Sequence, residues 1–183
     1  MLMRLIFWEY WGNWMSRQIL LCVETNKRSR TDYKYIDATI KRFYKDEKKI
    51  IYRPIFLESK TKYNAKDKLK EIKAWVKQFP GETVVIYFVD VDDYDVDPES
   101  RKLYDDIVDY CAANKYEFVF FTNDVEDVYL GKQVGDDEKV KRADEFTRKK
   151  LIESVAETNL RSDSRKKHCS NILNVLDRYW NKK

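Results

Sequence analysis

The sequence predicts an α/β domain in which a central parallel sheet of about four strands, of Rossmann-like type, is flanked by helices and followed by a helical C-terminal part. From residue 18 onward, short apolar runs alternate with amphipathic runs, which is typical of parallel strands joined by right-handed helical crossovers. The chain of 183 residues is 43% hydrophobic with only 4 glycines and 3 prolines, so it can fill one core. We therefore expect one domain over residues 15–183, preceded by an N-terminal extension, residues 1–14.

Four segments have the composition of strands. Residues 18–24 form a nearly continuous apolar run, as expected of a strand covered on both faces. Residues 83–89 are rich in β-branched and aromatic side chains. Pro54 indicates an edge position or a bulge for the strand over residues 49–57, and the last strand covers residues 116–121.

Amphipathic segments separate and follow these strands. Their apolar side chains recur at helical spacing, and the predicted helices are residues 33–46, 64–79, 98–114, 137–158 and 165–180. Pro80 with Gly81 ends the second of them, and the glycine-containing residues 131–137 are predicted to form a loop.

Composition limits the function classes. Lys and Arg number 36 against 32 Asp and Glu, and this net charge of +4 permits a nucleic-acid partner without demanding one. Cys22, Cys111 and Cys169 show no CxxC spacing, so neither a disulfide framework nor a zinc site is expected, and a reducing, cytoplasmic compartment is favoured.

The aromatic-rich extension 1–14 is too short to span a bilayer. It is interpreted as a packing segment or as an added or wrongly assigned start. A membrane-surface anchor is a third interpretation, but Arg4 and Arg17 give little of the basic face that such helices use. No membrane partner is therefore predicted.

Acidic residues follow two of the predicted strands. Glu24 ends the first strand, and Asp90 and Asp92 follow the third; in a flavodoxin-like strand order these strands are neighbours where the order reverses. Residues two apart in an extended strand point to the same side, so both aspartates can face one cation, whereas Asp93 points elsewhere. Hard oxygen ligands in small number suit Mg²⁺, or Mn²⁺, better than zinc or copper. A solvated acidic turn explains the same spacing equally well.

Glu after the first strand followed by Asp-x-Asp after the third resembles the Toprim fold, and within it the RloB-like branch found beside restriction and abortive-infection loci. The matching segments lie within residues 17–180 and read CVETNKRSRTDYKYI, VVIYFVDVDD, TNDVEDVYL and CSNILNVLDRY. The resemblance implies that Glu24 is a general acid or base, that Asp90 and Asp92 bind Mg²⁺, and that Asp127 is a further acidic contributor to the metal site. Thr25 stands where that branch has a glycine.

Basic residues near these acids are candidate nucleic-acid contacts. Lys27, Arg28 and Arg30 follow Glu24 in one loop, and Arg165 and Lys166 belong to a second basic cluster. Both clusters are also compatible with solvated surface. The sole histidine, His168, has no partner suggested by spacing and is interpreted as a surface or helix-start residue.

These observations support three functions. The first is an Mg²⁺-dependent, nuclease-like Toprim protein that acts on phosphodiesters of nucleic acid in phage defence. The second, favoured by Thr25, is a catalytically inactive Toprim-like binding or scaffold module that works with a partner such as an ATPase or another defence protein. The third is a metal-dependent nucleotide phosphatase, since the same site would serve small phosphate esters.

Overall fold

Four parallel strands form the central sheet. The computed structural model describes residues 16–183, so the predicted extension 1–14 lies outside the described residues. The strands are β1 (Arg17–Val23), β2 (Ile50–Phe56), β3 (Glu82–Val91) and β4 (Glu117–Thr122). They lie in the order β2-β1-β3-β4 and every neighbouring pair is parallel, which confirms the predicted fold class. Pro54 lies in β2, an edge strand as predicted.

Helices cover both faces of the sheet. They are α1 (Thr31–Phe43), α2 (Lys66–Gln78), α3 (Pro98–Asn114), α4 (Val125–Leu130), α5 (Asp136–Arg148) and α6 (Ile172–Leu176). Helix α2 ends before Pro80 and Gly81, as predicted, and a Cβ on Gly81 would lie 2.0 Å from the carbonyl oxygen of Ser16, so only glycine fits there. None of the helices in residues 16–183 is long and apolar enough to cross a membrane.

The C-terminal part contains less helix than its pattern predicts. Helix α5 ends at Arg148 and is followed by two 3-10 turns, Leu151–Ser154 and Glu157–Leu160, in place of a helix to residue 158. The predicted helix over residues 165–180 is also wrong, because only α6 forms.

Ahead of α6 the chain turns at residues 167–168 and then pairs with the end of β4. The backbone N–H of Thr122 donates to the Cys169 carbonyl at 3.0 Å, and Phe121 forms an antiparallel bridge with Ser170. His168 has a φ of 57°, which no right-handed helix allows. Tertiary hydrogen bonds to β4 therefore replace the helical ones.

The sheet separates two hydrophobic cores. Side chains of β1 alternate between them: Ile19 and Leu21 face the core formed with α1, α4, α5 and α6, whereas Leu20 and Cys22 face the core formed with α2 and α3. All four are fully buried, so β1 is covered on both faces as its apolar run predicts.

The three cysteines are free and buried. Burial raises the pKa of Cys22 well above its usual value and raises that of Cys111 to about 12. Neither thiol is therefore a nucleophile at neutral pH in the folded protein.

Candidate functional site

The central feature of the site is a contact between the ends of β1 and β3. Because the two strands are adjacent and parallel, their carboxyl ends lie at the same edge of the sheet. Glu24 directly follows β1, and its Oε1 accepts a hydrogen bond of 2.8 Å from the backbone N–H of Asp90 in β3. Glu24 and Asp90 therefore meet as the sequence predicted.

Lys60 brings a positive charge to these acids. It begins the 3-10 turn Lys60–Lys62 that follows β2, the neighbour of β1 on the other side. Its ammonium Nζ lies 2.9 Å from Asp92 Oδ2 and donates to the carbonyl oxygen of Asp90 at 3.1 Å. The site thus combines residues from the ends of three strands, and the sequence motifs do not include Lys60, which supplies its positive charge.

Further carboxylates lie on the side of α1 and α4. Ile86 and Phe88 of β3 face the core formed with α1 and α4, and Asp90, two residues further along the strand, points to the same face of the sheet. Asp32, in the first turn of α1, is buried, and its carboxylate accepts hydrogen bonds of 3.2 Å from the backbone N–H of Thr25 and the hydroxyl of Thr31. Asp32 thus fastens the start of α1 to the turn after β1.

Burial and mutual repulsion shift the pKa values of this group. Burial raises the pKa of Glu24 to about 8; Lys60 and the Asp90 N–H oppose this shift, and Asp32 and Asp92 add to it. The pKa of Asp32 rises to about 6 by burial, and that of Asp90 rises well above its usual value through burial and the neighbouring charge of Glu24. The cluster therefore holds protons at neutral pH, because the single charge of Lys60 does not offset burial and the repulsion between the acids.

Glu126, in the first turn of α4, extends the acidic cluster. Only 1% of the residue is exposed, and its Oε1 has no hydrogen-bond partner within the described part of the chain. Burial raises its pKa to about 7, partly offset by Lys139 and reinforced by Asp32 and Asp124. Lys139 Nζ remains 3.8 Å from both Glu126 and Asp124, too far for a hydrogen bond.

The donor set fits a hard divalent cation in chemistry but is not arranged as a ligand set. Carboxylate oxygens that hold excess protons are suitable ligands for Mg²⁺ or Mn²⁺. Within residues 16–183, however, no three His, Cys, Asp or Glu side chains are placed so that they could hold a metal ion. At Asp92 the counter-charge is the ammonium of Lys60, so a cation would have to compete with it.

Asp127 lies apart from this contact, with different partners. Its Oδ2 accepts a hydrogen bond of 3.1 Å from the amide of Asn123 and lies 3.0 Å from His168 Nδ1. His168 thus lies beside a carboxylate that its spacing did not suggest, because the segment that pairs with β4 at Ser170 brings it to the start of α4. Within residues 16–183, no hydrogen bond or ion pair joins Asp127 to Asp90 or Asp92.

The predicted basic residues lie on exposed loops around the same edge. Lys27 and Arg28 occupy the loop after β1, and the Arg30 guanidinium lies 5.3 Å from the ring of Tyr33. Lys166 is exposed.

Arg165 is held more firmly than the other basic residues. Its guanidinium stacks 3.5 Å from the ring centroid of Tyr94, which follows β3. Together with Thr122 and Asn123 at the end of β4, it lines a pocket of about 250 Å³. The arginine therefore lies near the acidic edge with its guanidinium already oriented.

Thr25 fills the glycine position without backbone strain. Among residues 16–183, the non-glycine residues with positive φ do not include Thr25. Its N–H bonds Asp32, and its buried hydroxyl has no hydrogen-bond partner within those residues. The turn after Glu24 therefore does not need the conformational freedom of glycine.

Sequence reasoning missed Lys60, Glu126 and Lys139. Lys60 and Glu126 follow β2 and β4 closely, so the rule that sites collect at the carboxyl ends of parallel strands could have included them. Their neighbours in sequence are also charged, and only tertiary structure distinguishes them.

Comparison of the chain with protein-family models, with curated proteins and with solved structures found no significant match. The Toprim and RloB-like resemblance therefore rests on the motifs and their order.

Proposed function

We propose that this chain is a Toprim-like protein that uses a divalent cation, Mg²⁺ or Mn²⁺, to act on phosphodiesters of nucleic acid, with a role in phage defence. The observation that carries the proposal is the contact of Glu24 with Asp90 at the carboxyl edge of β1 and β3, within a group of carboxylates short of positive charge. Asp90 and Asp92 would hold the cation, which would supply charge stabilisation at a phosphoryl oxygen, and Glu24 would act beside it as the general acid or base.

The protonation of Glu24 suits a proton donor. With a pKa of about 8, its carboxyl group carries a proton at neutral pH. Oε1 accepts the N–H of Asp90, which leaves Oε2 to hold that proton. A positioned neutral carboxyl group of this kind can donate to the oxygen that leaves a phosphodiester.

The exposed basic residues support a polyanionic substrate. Lys27, Arg28, Lys166 and Arg165 border the acidic edge, where they would contact the phosphates that flank the reacting one. Such contacts give affinity without sequence preference and weaken as salt rises.

A catalytically inactive scaffold is the second candidate, and the Lys60–Asp92 ion pair favours it. An ammonium bound directly to the second aspartate supplies the charge that a cation would bring. In this function the acidic edge is a structural device, and activity would belong to a partner such as an ATPase.

Metal-dependent cleavage separates the two candidates. Wild-type protein and Asp90→Asn/Asp92→Asn protein would be incubated with single- and double-stranded DNA and RNA, with Mg²⁺, with Mn²⁺ or with EDTA. Cleavage by the wild type should require metal and should fall by at least about 100-fold in the double variant. Because neutral amides relieve the repulsion in the cluster, the double variant should keep its circular-dichroism spectrum.

Asp93→Asn is the matched control. Asp93 has a φ of 53°, a conformation that asparagine also adopts, and its side chain is exposed. It should cleave as the wild type does. Cleavage retained in the double variant would refute the catalytic assignment, and wild-type protein without turnover that co-purifies with a partner would support the scaffold.

A further inference from the structure

Lys60 occupies an unusual place for a lysine. Its side chain is only 19% exposed although it belongs to a short surface turn, and it touches both residues of the Asp-x-Asp pair. The turn is shaped by Ser59, whose hydroxyl accepts the backbone N–H of Thr61. The ammonium is therefore held at the acidic edge by its stem and by its hydrogen bonds.

Lys62, on the same turn, shows what an ordinary lysine does there. Its Nζ pairs with Glu58 at 2.6 Å, and both side chains are about half exposed. Two lysines of one turn thus differ in burial and in partner, and only Lys60 reaches the Asp-x-Asp pair.

The acids around Lys60 raise its pKa above the usual value. Burial lowers the pKa, but the charge of Glu24 and the hydrogen bond to Asp92 outweigh it. The ammonium of Lys60 is thus the counterion of Asp92.

We propose that Lys60 is a built-in competitor of the divalent cation: its ammonium occupies Asp92 and must leave before a cation can use that carboxylate. This inference rests on the proposed function, because it concerns the same cation site. An ammonium 2.9 Å from Asp92 Oδ2 blocks an oxygen lone pair, and its charge repels a dication at short range.

The competition links cation binding to phosphate binding. A phosphate oxygen is as good a partner for an ammonium group as a carboxylate oxygen is. An incoming phosphodiester therefore offers Lys60 an alternative partner and frees Asp92. The expected consequence is a site with low cation affinity by itself and higher affinity when phosphate is present.

The test measures Mn²⁺ affinity without any turnover. Mn²⁺ is titrated calorimetrically into wild type, Lys60→Met, Lys60→Arg and the matched control Lys62→Met. Lys60→Met should bind Mn²⁺ at least about tenfold more tightly than wild type, because one repelling charge is gone and Asp92 is free. Lys60→Arg, which keeps the charge, and Lys62→Met should stay close to wild type.

Thermal unfolding gives a second readout. In EDTA, Lys60→Met should melt about 2–4 °C below wild type, since Asp92 and its neighbours lose their counterion. Mn²⁺ should raise the melting temperature of Lys60→Met by more than it raises that of wild type. Lys60→Gln keeps a hydrogen-bond donor but no charge. It should show the same tighter Mn²⁺ binding and the same lower melting temperature in EDTA, and it replaces Lys60→Met if that variant does not fold.

The outcomes separate this inference from the proposed function. Uncharged variants that bind Mn²⁺ no more tightly than wild type, or an absence of binding in every protein, would overturn the competition. Tighter binding in those variants without cleavage of any nucleic acid by wild type would uphold the competition and refute the nuclease function. Metal-dependent cleavage by wild type with unchanged affinity in the variants would refute the competition alone.

Discussion

Glu126 makes the stability of the protein depend on pH in a calculable way. Its pKa rises from 4.5 to about 7 because the residue is buried. The folded protein keeps a proton on Glu126 over this interval, whereas the unfolded chain releases it, so the folded state binds more protons. Stability is therefore complete below the unfolded pKa and falls as the pH rises through the folded pKa.

The change corresponds to about 3 kcal/mol, from the shift in pKa multiplied by the free energy of one pKa unit. Glu126→Gln cannot ionise and keeps nearly the same volume. At about pH 8 the variant should therefore be more stable than wild type by about 3 kcal/mol, or about 6–12 °C in melting temperature, with a much smaller difference near pH 5. The charge of Glu126 also raises the pKa of Asp90, so its removal acts in the same direction.

Urea unfolding followed by circular dichroism, at about pH 5 and about pH 8 in EDTA, measures these differences. Glu71→Gln is the control, because Glu71 lies exposed on α2 on the other face of the sheet. It should leave the difference between the two pH values as in wild type. A Glu126→Gln protein that is no more stable than wild type at the higher pH would refute the reasoning.

Two further predictions concern the core and the basic surface. Phe146 is fully buried, and its ring centroid lies 4.7 Å from that of Tyr35. Phe146→Ala should therefore lower the free energy of unfolding, measured by urea denaturation, by about 3–5 kcal/mol. A loss below about 1 kcal/mol would contradict this packing. Arg165→Ala should weaken nucleic-acid binding at every sequence and reduce the slope of log K against log salt by about 1, and an unchanged slope would argue against a phosphate contact.

The sheet could be predicted because its strands are defined by local pattern. A strand buried on both faces is an almost uninterrupted apolar run, as in residues 18–24, and the helices between strands show their own periodicity. Parallel order then brings Glu24 next to Asp90 through the topology alone. This part of the candidate site needed no knowledge of side-chain packing.

The remaining contacts depend on distant parts of the chain. Lys60 stands in a stretch of similar lysines, KTKYNAKDKLK, and only the turn after β2 places it against Asp92. The partnership of His168 with Asp127 requires the segment before α6 to run beside β4, although its sequence was expected to be helical. Hydrogen bonding to a strand end overrides a weak local preference there.

The positions of the three free thiols allow local unfolding to be followed by cysteine labelling. Cys22 and Cys111 lie in the core between the sheet and α2 and α3, whereas Cys169 lies beside the end of β4 in the segment before α6. A thiol-specific reagent can reach a buried cysteine only when the surrounding structure opens, and different structural units open at different free energies. Labelling of Cys169 would therefore time the detachment of that segment, and labelling of Cys22 would time the separation of the sheet from its helices. The wild-type chain thus carries two separate probes of its motions without an added label.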